Sequence, residues 1–436
     1  VTELNETEAK STWSMLKNFF HAAARVVTPR ASFSGKLREI GGVQKPDGQV
    51  DLSIDHILSD PALRTRLFPV TAKRIFLAHA GVAPLPGPTV ETLKNEAERA
   101  GVGQENPDFM VEIESIRRVG ARLINAASDE VALLGPTSLG LNLVANGLTW
   151  HEGDEVVFYP DDYPANVYPW QSLAERGVRL VPLQPERLGE ITPDLVRQAL
   201  TPRTRLVALA SCHFLSGYRL DYEAIGEECT RRGVLFCLDA IQSLGATPID
   251  VRHVDFLAAD SHKWMLGPLG AGIFYVKRRH FPTLRPSLVG AWNVRSPGFI
   301  AQPEVAFEET ARRYEPGALN MLALFGMKAS LELILGLGVK QIEARLLDLR
   351  SFAEDRLLAA GFRVLGHSNR RSQKSGIVTV ALDDEARARD VFRRLREAGI
   401  DVSLRQNRAG VSCLRLSPHF YNLEGEIEEV VKFLLS

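Results

Sequence analysis

The stretch from Leu235 to Lys277, LFCLDAIQSLGATPIDVRHVDFLAADSHKWMLGPLGAGIFYVK, constrains this chain more than any other. It begins with a short continuous apolar run, the pattern of a strand buried on both faces. That run delivers one carboxylate, Asp239, at its carboxyl end. A second run, Phe256 to Ala259, delivers Ser261, His262 and Lys263 at its own end, and a third follows from Gly272 to Val276. In an open α/β sheet the ligand crevice lies outside the carboxyl ends of the strands. An acid and an amine are therefore sent to the same rim.

The neighbouring sequence supports such a sheet. From about Phe68, β-rich runs alternate with stretches of helical apolar spacing such as Tyr222 to Arg232. Glu155 to Tyr159 and Arg205 to Leu209 read as further buried strands, beside the run Val234 to Leu238 that leads to Asp239. Several parallel strands with crossover helices make one open α/β sheet. After about Asn320 the texture changes to two long helical stretches, Leu322 to Leu335 and Ile342 to Ala360. An alternating run (Gly376 to Leu382), a charged helix (Asp384 to Ala398), strands Asp401 to Leu404 and Gly410 to Leu416, and a last helix follow. The expected division is an extension over 1–66, a large α/β domain over 67–320 and a smaller α+β domain over 321–436. In the extension Trp13, Leu16, Phe20, Ala24 and Val27 recur at helical spacing, which predicts an amphipathic helix ending before Pro29.

Charge and composition remove several classes. The formal net charge is −1, so no global field recruits nucleic acid or an anionic membrane. No window reaches the ~18 uninterrupted apolar residues of a membrane span; the nearest, Met321 to Val339, is broken by Lys328 and Glu332. The four cysteines form no CxxC pair and no metal-ligand spacing, so no metal site is expected and a cytoplasmic setting fits.

An acid and a lysine at the mouth of a parallel sheet suit pyridoxal 5′-phosphate. That cofactor needs a lysine to hold it as a Schiff base and a carboxylate to keep its ring nitrogen protonated. At this point the sequence resembles a known family. Asp239-x-x-Gln242, then Ser261-His262-Lys263-Trp264, then Gly267-Pro268-x-Gly270 looks like a fold type I enzyme of the class V aminotransferase group. That group includes cysteine desulfurases, selenocysteine lyases, kynureninases and isopenicillin N epimerase-like proteins. The resemblance implies a large domain with a mainly parallel seven-stranded sheet plus a smaller carboxyl-terminal domain, commonly as a homodimer. It further implies Lys263 as the Schiff-base lysine, Asp239 on the pyridine nitrogen, Gln242 on the ring hydroxyl, and Ser261 and His262 reaching the phosphate.

Other segments add to the resemblance. Gly135-Pro136-Thr137-Ser138-Leu139-Gly140 precedes a helical run; alone it is a common helix start, and at this distance from Lys263 it resembles the family's phosphate loop. Tyr163-Pro164 stands where desulfurases carry a histidine pair, so the Tyr163 ring is left to stack on the cofactor without histidine's acid–base chemistry. Phe214 replaces an asparagine, with His213 beside it as a substrate or ring contact or a structural histidine. His79-Ala80-Gly81 resembles a segment lining the substrate pocket, and could equally be a plain turn after a strand. Arg415 matches the arginine that clamps a substrate carboxylate, and Pro418 to Asn422 resembles the isopenicillin N epimerase-like branch. Arg313 to Asn320 matches a loop that reaches a neighbour's phosphate, with Ala318 where a threonine is usual.

The interval from Arg405 to Ala409, where desulfurases hold a mobile nucleophilic cysteine, contains none. Cys413 lies inside a strand and is a poor persulfide carrier. The sequence thus predicts a pyridoxal-phosphate enzyme performing Cα–H chemistry on an α-amino acid, a small-molecule substrate, by transamination or β-elimination. A C–S lyase, an epimerase and an inactive cofactor-binding scaffold are the alternatives.

Overall fold

A computed structural model of the chain describes residues 43–44, 50–103 and 108–436; the stretch from Trp13 to Val27 lies outside them. A seven-stranded sheet forms the centre. Its strands in chain order are β1 (Val131–Leu133), β2 (Glu155–Phe158), β3 (Arg179–Pro182), β4 (Thr204–Ala210), β5 (Leu235–Asp239), β6 (Phe256–Asp260) and β7 (Gly272–Val276). Across the sheet the order is β1-β7-β6-β5-β4-β2-β3.

Strands β2 to β6 pair in parallel, whereas β7 runs antiparallel between β6 and β1. A parallel return needs a crossover of a dozen or more residues, usually a helix. Residues 261–271 are irregular loop, so the chain turns straight back after Lys263. Strands β1 and β3 carry no run the sequence reading recognised. The first is only three residues long. The second is a partly exposed edge strand ending in Pro182, whose missing N–H is tolerated at an edge.

Alternation along the strands divides the core. Val157, Val207, Leu209, Phe236, Leu238, Leu257 and Ile273 face one layer, with α1 (Gly87–Val102), α2 (Phe109–Leu123), α4 (Tyr222–Arg232) and α5 (Met321–Leu337) on that side. Val156, Phe158, Leu206, Ala208, Cys237, Ala258 and Phe274 face the other, against α3 (Thr137–Gly147). Each such Val, Leu, Ile or Phe side chain, fully buried, contributes on the order of 1.5–3 kcal/mol. Helix α3 sits directly on β6: a Cβ at Gly140 would lie 2.8 Å from the Ala258 Cβ.

A second sheet, β8 (Arg363–Leu365), β9 (Val378–Leu382), β10 (Ser403–Gln406) and β11 (Ser412–Leu416), is antiparallel in the order β8-β9-β11-β10. Val378, Val380, Leu414 and Leu416 face α6 (Val339–Ala359), α7 (Glu385–Glu397) and α8 (Glu424–Leu435). The other face turns toward the first sheet: Thr379 donates to the Leu215 carbonyl at 2.6 Å and Arg415 to that of Phe214 at 2.6 Å. The run read as one strand, Asp401 to Leu404, divides: Ile400–Asp401 pairs in parallel with Ile75–Phe76, and Ser403–Gln406 joins the second sheet. Among the described residues no single helix is long and apolar enough to cross a membrane; α5 and α6 meet at 81° around Gly338.

Candidate active site

The parallel strands end on one rim, and the segments that follow them supply the polar groups. Asp239 closes β5, buried, its Oδ1 accepting from the Ile241 N–H at 3.0 Å. Burial pushes its carboxyl well above the usual carboxylate range; the Ile241 N–H opposes this and the nearby Asp162 charge adds to it. Lys263 follows β6, 8% exposed, with no hydrogen-bond acceptor for its amine among the described residues. Its ammonium is brought down from the ordinary lysine value by burial, with the Asp239 charge working the other way. The Lys263 Nζ lies 5.3 Å from the centroid of the Tyr163 ring, which is itself half-exposed and edge-on to Phe214.

The sequence did not single out Asp162, although it directly precedes Tyr163. Its carboxylate accepts from the Tyr163 N–H at 2.7 Å and from Asn166 at 3.1 Å, and desolvation raises it to about 6. It acts electrostatically on Asp239, so two carboxyls and one amine share this floor.

Gln242 is buried between two elements. Its Oε1 accepts from the Trp264 indole at 2.9 Å, and its Nε2 donates to the Ala80 carbonyl at 3.2 Å. At the other end of the rim, the Thr137 hydroxyl accepts from the Asp260 N–H at 2.9 Å and ties the start of α3 to the end of β6. Ser138, partly exposed, lies in the first turn of α3, where unpaired N–H groups and the helix dipole favour an anion. His262 Nδ1 lies 3.0 Å from Asp260 Oδ1. Ser261 donates to the Pro268 carbonyl at 2.8 Å, closing the turn that follows Lys263.

Two histidines are fully committed inside the protein. His213 accepts at Nδ1 from the Ser216 N–H at 3.0 Å and donates from Nε2 to the Asp161 carbonyl at 3.0 Å. Burial lowers it to about 4. His79 donates from Nδ1 to the Ser417 carbonyl at 2.9 Å and accepts at Nε2 from the Tyr421 hydroxyl at 2.7 Å. It is fully enclosed and held neutral by burial. These rings are struts, and the pocket-facing part of the His79 segment is Gly81, where a Cβ would come 4.0 Å from the Arg415 guanidinium. His419, in the Pro418 to Asn422 motif, donates to the Trp264 carbonyl at 3.1 Å and so braces the residue next to Lys263.

Arg415 is 1% exposed and has no carboxylate partner among the described residues. It donates to the Phe214 carbonyl and, at 3.4 Å, to the Ser403 hydroxyl, while its Nε is buried without an acceptor. Burial brings it down to about 9, with Arg405 adding repulsion. Cys413 is enclosed by Leu215 and Ala381, and burial raises its thiol to about 11. In the Arg313 to Asn320 loop, Glu315 makes a buried bidentate pair with Arg117 at 2.5 and 3.2 Å and accepts from the Leu133 N–H at 2.7 Å. Among the described residues no cluster of His, Cys, Asp and Glu forms a metal site.

These groups fit pyridoxal phosphate and an amino acid: a buried unpaired amine, a buried carboxyl, a helix start for an anion and a guanidinium whose buried Nε has no acceptor. The comparisons agree. The aminotransferase class-V family model matches residues 75–430. A probable cysteine desulfurase of Methanothermobacter thermautotrophicus is 28% identical over 286 residues, 64% of this chain and 71% of its own length. The uncharacterized aminotransferase YcbU of Bacillus subtilis is 28% identical over 376 residues, 85% of this chain and 96% of its own. Among solved structures, an apo cysteine desulfurase from Thermococcus onnurineus superposes with a TM-score of 0.79 at 24% identity, covering 86% of this chain and 97% of that one. A complex of the cystine C–S lyase C-DES with cysteine persulfide gives 0.77 at 23%, covering 84% and 99%. The chain belongs to the class V aminotransferase family and is a pyridoxal-phosphate-dependent enzyme of fold type I.

Proposed function

We propose that this enzyme labilises the Cα proton of an α-amino acid and completes either transamination or β-elimination. One observation carries the reading: the unpaired amine of Lys263 shares the cleft floor with the buried Asp239, and the buried Arg415 nearby lacks a carboxylate. Pyridoxal phosphate, when bound, supplies an electron sink for charge developing at Cα. Lys263 would hold it as a Schiff base and then move the proton at Nζ. Asp239 would keep the ring nitrogen protonated, Gln242 would approach the ring hydroxyl, and Tyr163 would cover one ring face. Thr137, Ser138, Ser261 and His262 form the phosphate end. Arg415 would clamp the substrate carboxylate bidentately, and His79 and His213 hold the surrounding wall. In this reading residues 67–320 carry the cofactor, and residues 321–436 bring the clamp.

A second reading, C–S lysis by β-elimination, is favoured over persulfide chemistry by the enclosed thiol of Cys413. We further propose a homodimer, supported by exposed Leu269 and Leu322 beside the loop from Pro316 to Asn320. A cytoplasmic setting is supported by four free, buried cysteines.

The test is the visible spectrum of the purified protein before and after borohydride, then with a panel of amino acids. A borohydride-sensitive yellow band that disappears in Lys263→Ala, and changes with amino acids, is expected. Pyruvate and ammonia from a cysteine conjugate would mark elimination; a pyridoxamine spectrum reversed by keto acids would mark transamination. A band that Lys263→Ala leaves untouched would refute the assignment.

A further inference from the structure

Arg415 is not the only guanidinium on its sheet face. On β10, Arg405 stands opposite Cys413, while Ser403 stands opposite Arg415. Residues two apart on a strand share a face, so Arg405 and Arg415 are diagonal neighbours, roughly 7–8 Å apart at that position of an antiparallel pair. The charge of Arg405 reaches both Arg415 and Lys263 and depresses each.

The arginines around it are all engaged. Arg187 pairs with Glu190, and Arg363 pairs with Asp383. Arg408 donates to the Pro160 carbonyl at 2.6 Å and lies 3.4 Å from Asp161, which clasps the loop after β10 against the segment carrying Asp162 and Tyr163. Arg405, by contrast, is exposed and has no hydrogen bond or ion pair among the described residues. A hydrated, unpaired cation within electrostatic reach of the reacting amine is free to take an anion from solution. One anion, the substrate's α-carboxylate, satisfies Arg415; a second satisfies Arg405.

We propose that Arg405 is a specificity-determining residue that receives an acidic side chain, so that the preferred substrates are amino acids with a second carboxylate. The inference rests on the function proposed above for its α-carboxylate clamp, and its test separates the two. A hydrogen-bonded charge pair contributes on the order of 1.5–3 kcal/mol, or about 10- to 150-fold in affinity.

The experiment compares the cofactor-loaded enzyme with Arg405→Gln and Arg405→Lys, using aspartate, asparagine and alanine as amino acids. Succinate and propionate serve as amine-free probes whose binding is read by calorimetry. Wild type should bind aspartate at least tenfold tighter than asparagine, and succinate at least tenfold tighter than propionate. Arg405→Gln should abolish both preferences by raising KM and Kd for the dicarboxylates while kcat holds, and Arg405→Lys should restore part of them. Equal weakening of aspartate and alanine in Arg405→Gln would overturn the proposal, because it would put both guanidiniums on the α-carboxylate. So would a wild type that binds succinate no better than propionate. If no amino acid alters the spectrum while succinate is still preferred in an Arg405-dependent way, the proposed reaction fails and the anion site stands.

Discussion

Replacing Arg415 by methionine should make the protein more stable and nearly unable to bind amino acids. Held at about 9 rather than 12.5, chiefly by burial, the guanidinium is disfavoured in its charged form by about 5 kcal/mol. Methionine fills similar space without charge but strands the Phe214 carbonyl, which accepts from Arg415 at 2.6 Å. Such a loss costs about 1–3 kcal/mol. The balance is a gain of about 2–4 kcal/mol, a few degrees in Tm for a chain of 436 residues. Losing a bidentate carboxylate contact removes at least about 3 kcal/mol of binding, or about 150-fold in amino-acid affinity. Thermal unfolding of the cofactor-free protein reads the first quantity, and titration of the loaded enzyme's absorption reads the second. A Tm that falls in Arg415→Met would mean that the guanidinium is satisfied within the protein and is not an unfilled clamp. Unchanged amino-acid affinity would refute the clamp directly.

Two further outcomes follow from the geometry. The buried His213 titrates near 4 when folded and near 6.5 when unfolded, so below about 6.5 the unfolded chain takes up the proton first and stability falls with pH. Chemical denaturation should show the stability advantage of wild type over His213→Asn shrinking by about 2 kcal/mol between pH 7 and pH 5; an unchanged gap would place a charged imidazole in the fold. Cys413→Ala should keep kcat/KM for every productive amino acid within about twofold and cost about 1 kcal/mol of stability through a small cavity. A tenfold loss of activity would return the thiol to the reaction.

The meeting of Asp239 and Lys263 at one rim was legible in the sequence because each follows an uninterrupted apolar run: Asp239 after Leu235 to Leu238, Lys263 just beyond the strand Phe256 to Asp260. Helix α4 was readable to the residue because Asp221 caps its start and Gly233, at φ 68°, ends it. Pairing direction was not readable. Gly272–Val276 has the composition of its parallel neighbours, and only the lack of a helix between Ser261 and Ala271 reverses it. Asp162 escaped because its importance lies in the field of Asp239, which no local spacing reports. For His79 and His213 the sequence left a site contact and a structural role both open; their ring nitrogens bond Ser417, Tyr421, Ser216 and Asp161, partners that lie far away in sequence or in a neighbouring turn and that no local spacing reports.

The bond from His79 to the Ser417 carbonyl joins positions 338 residues apart, and the one from Arg64 to the Tyr421 carbonyl spans 357. Contacts of such separation demand the closure of very long loops before they return any energy, and they slow folding accordingly. The wall that seats Gly81 beside Arg415 and braces Trp264 is therefore held by contacts that require both ends of the described chain to be brought together. A cofactor that binds only the assembled site deepens the native well by mass action, so the apparent stability of the protein should rise with cofactor concentration.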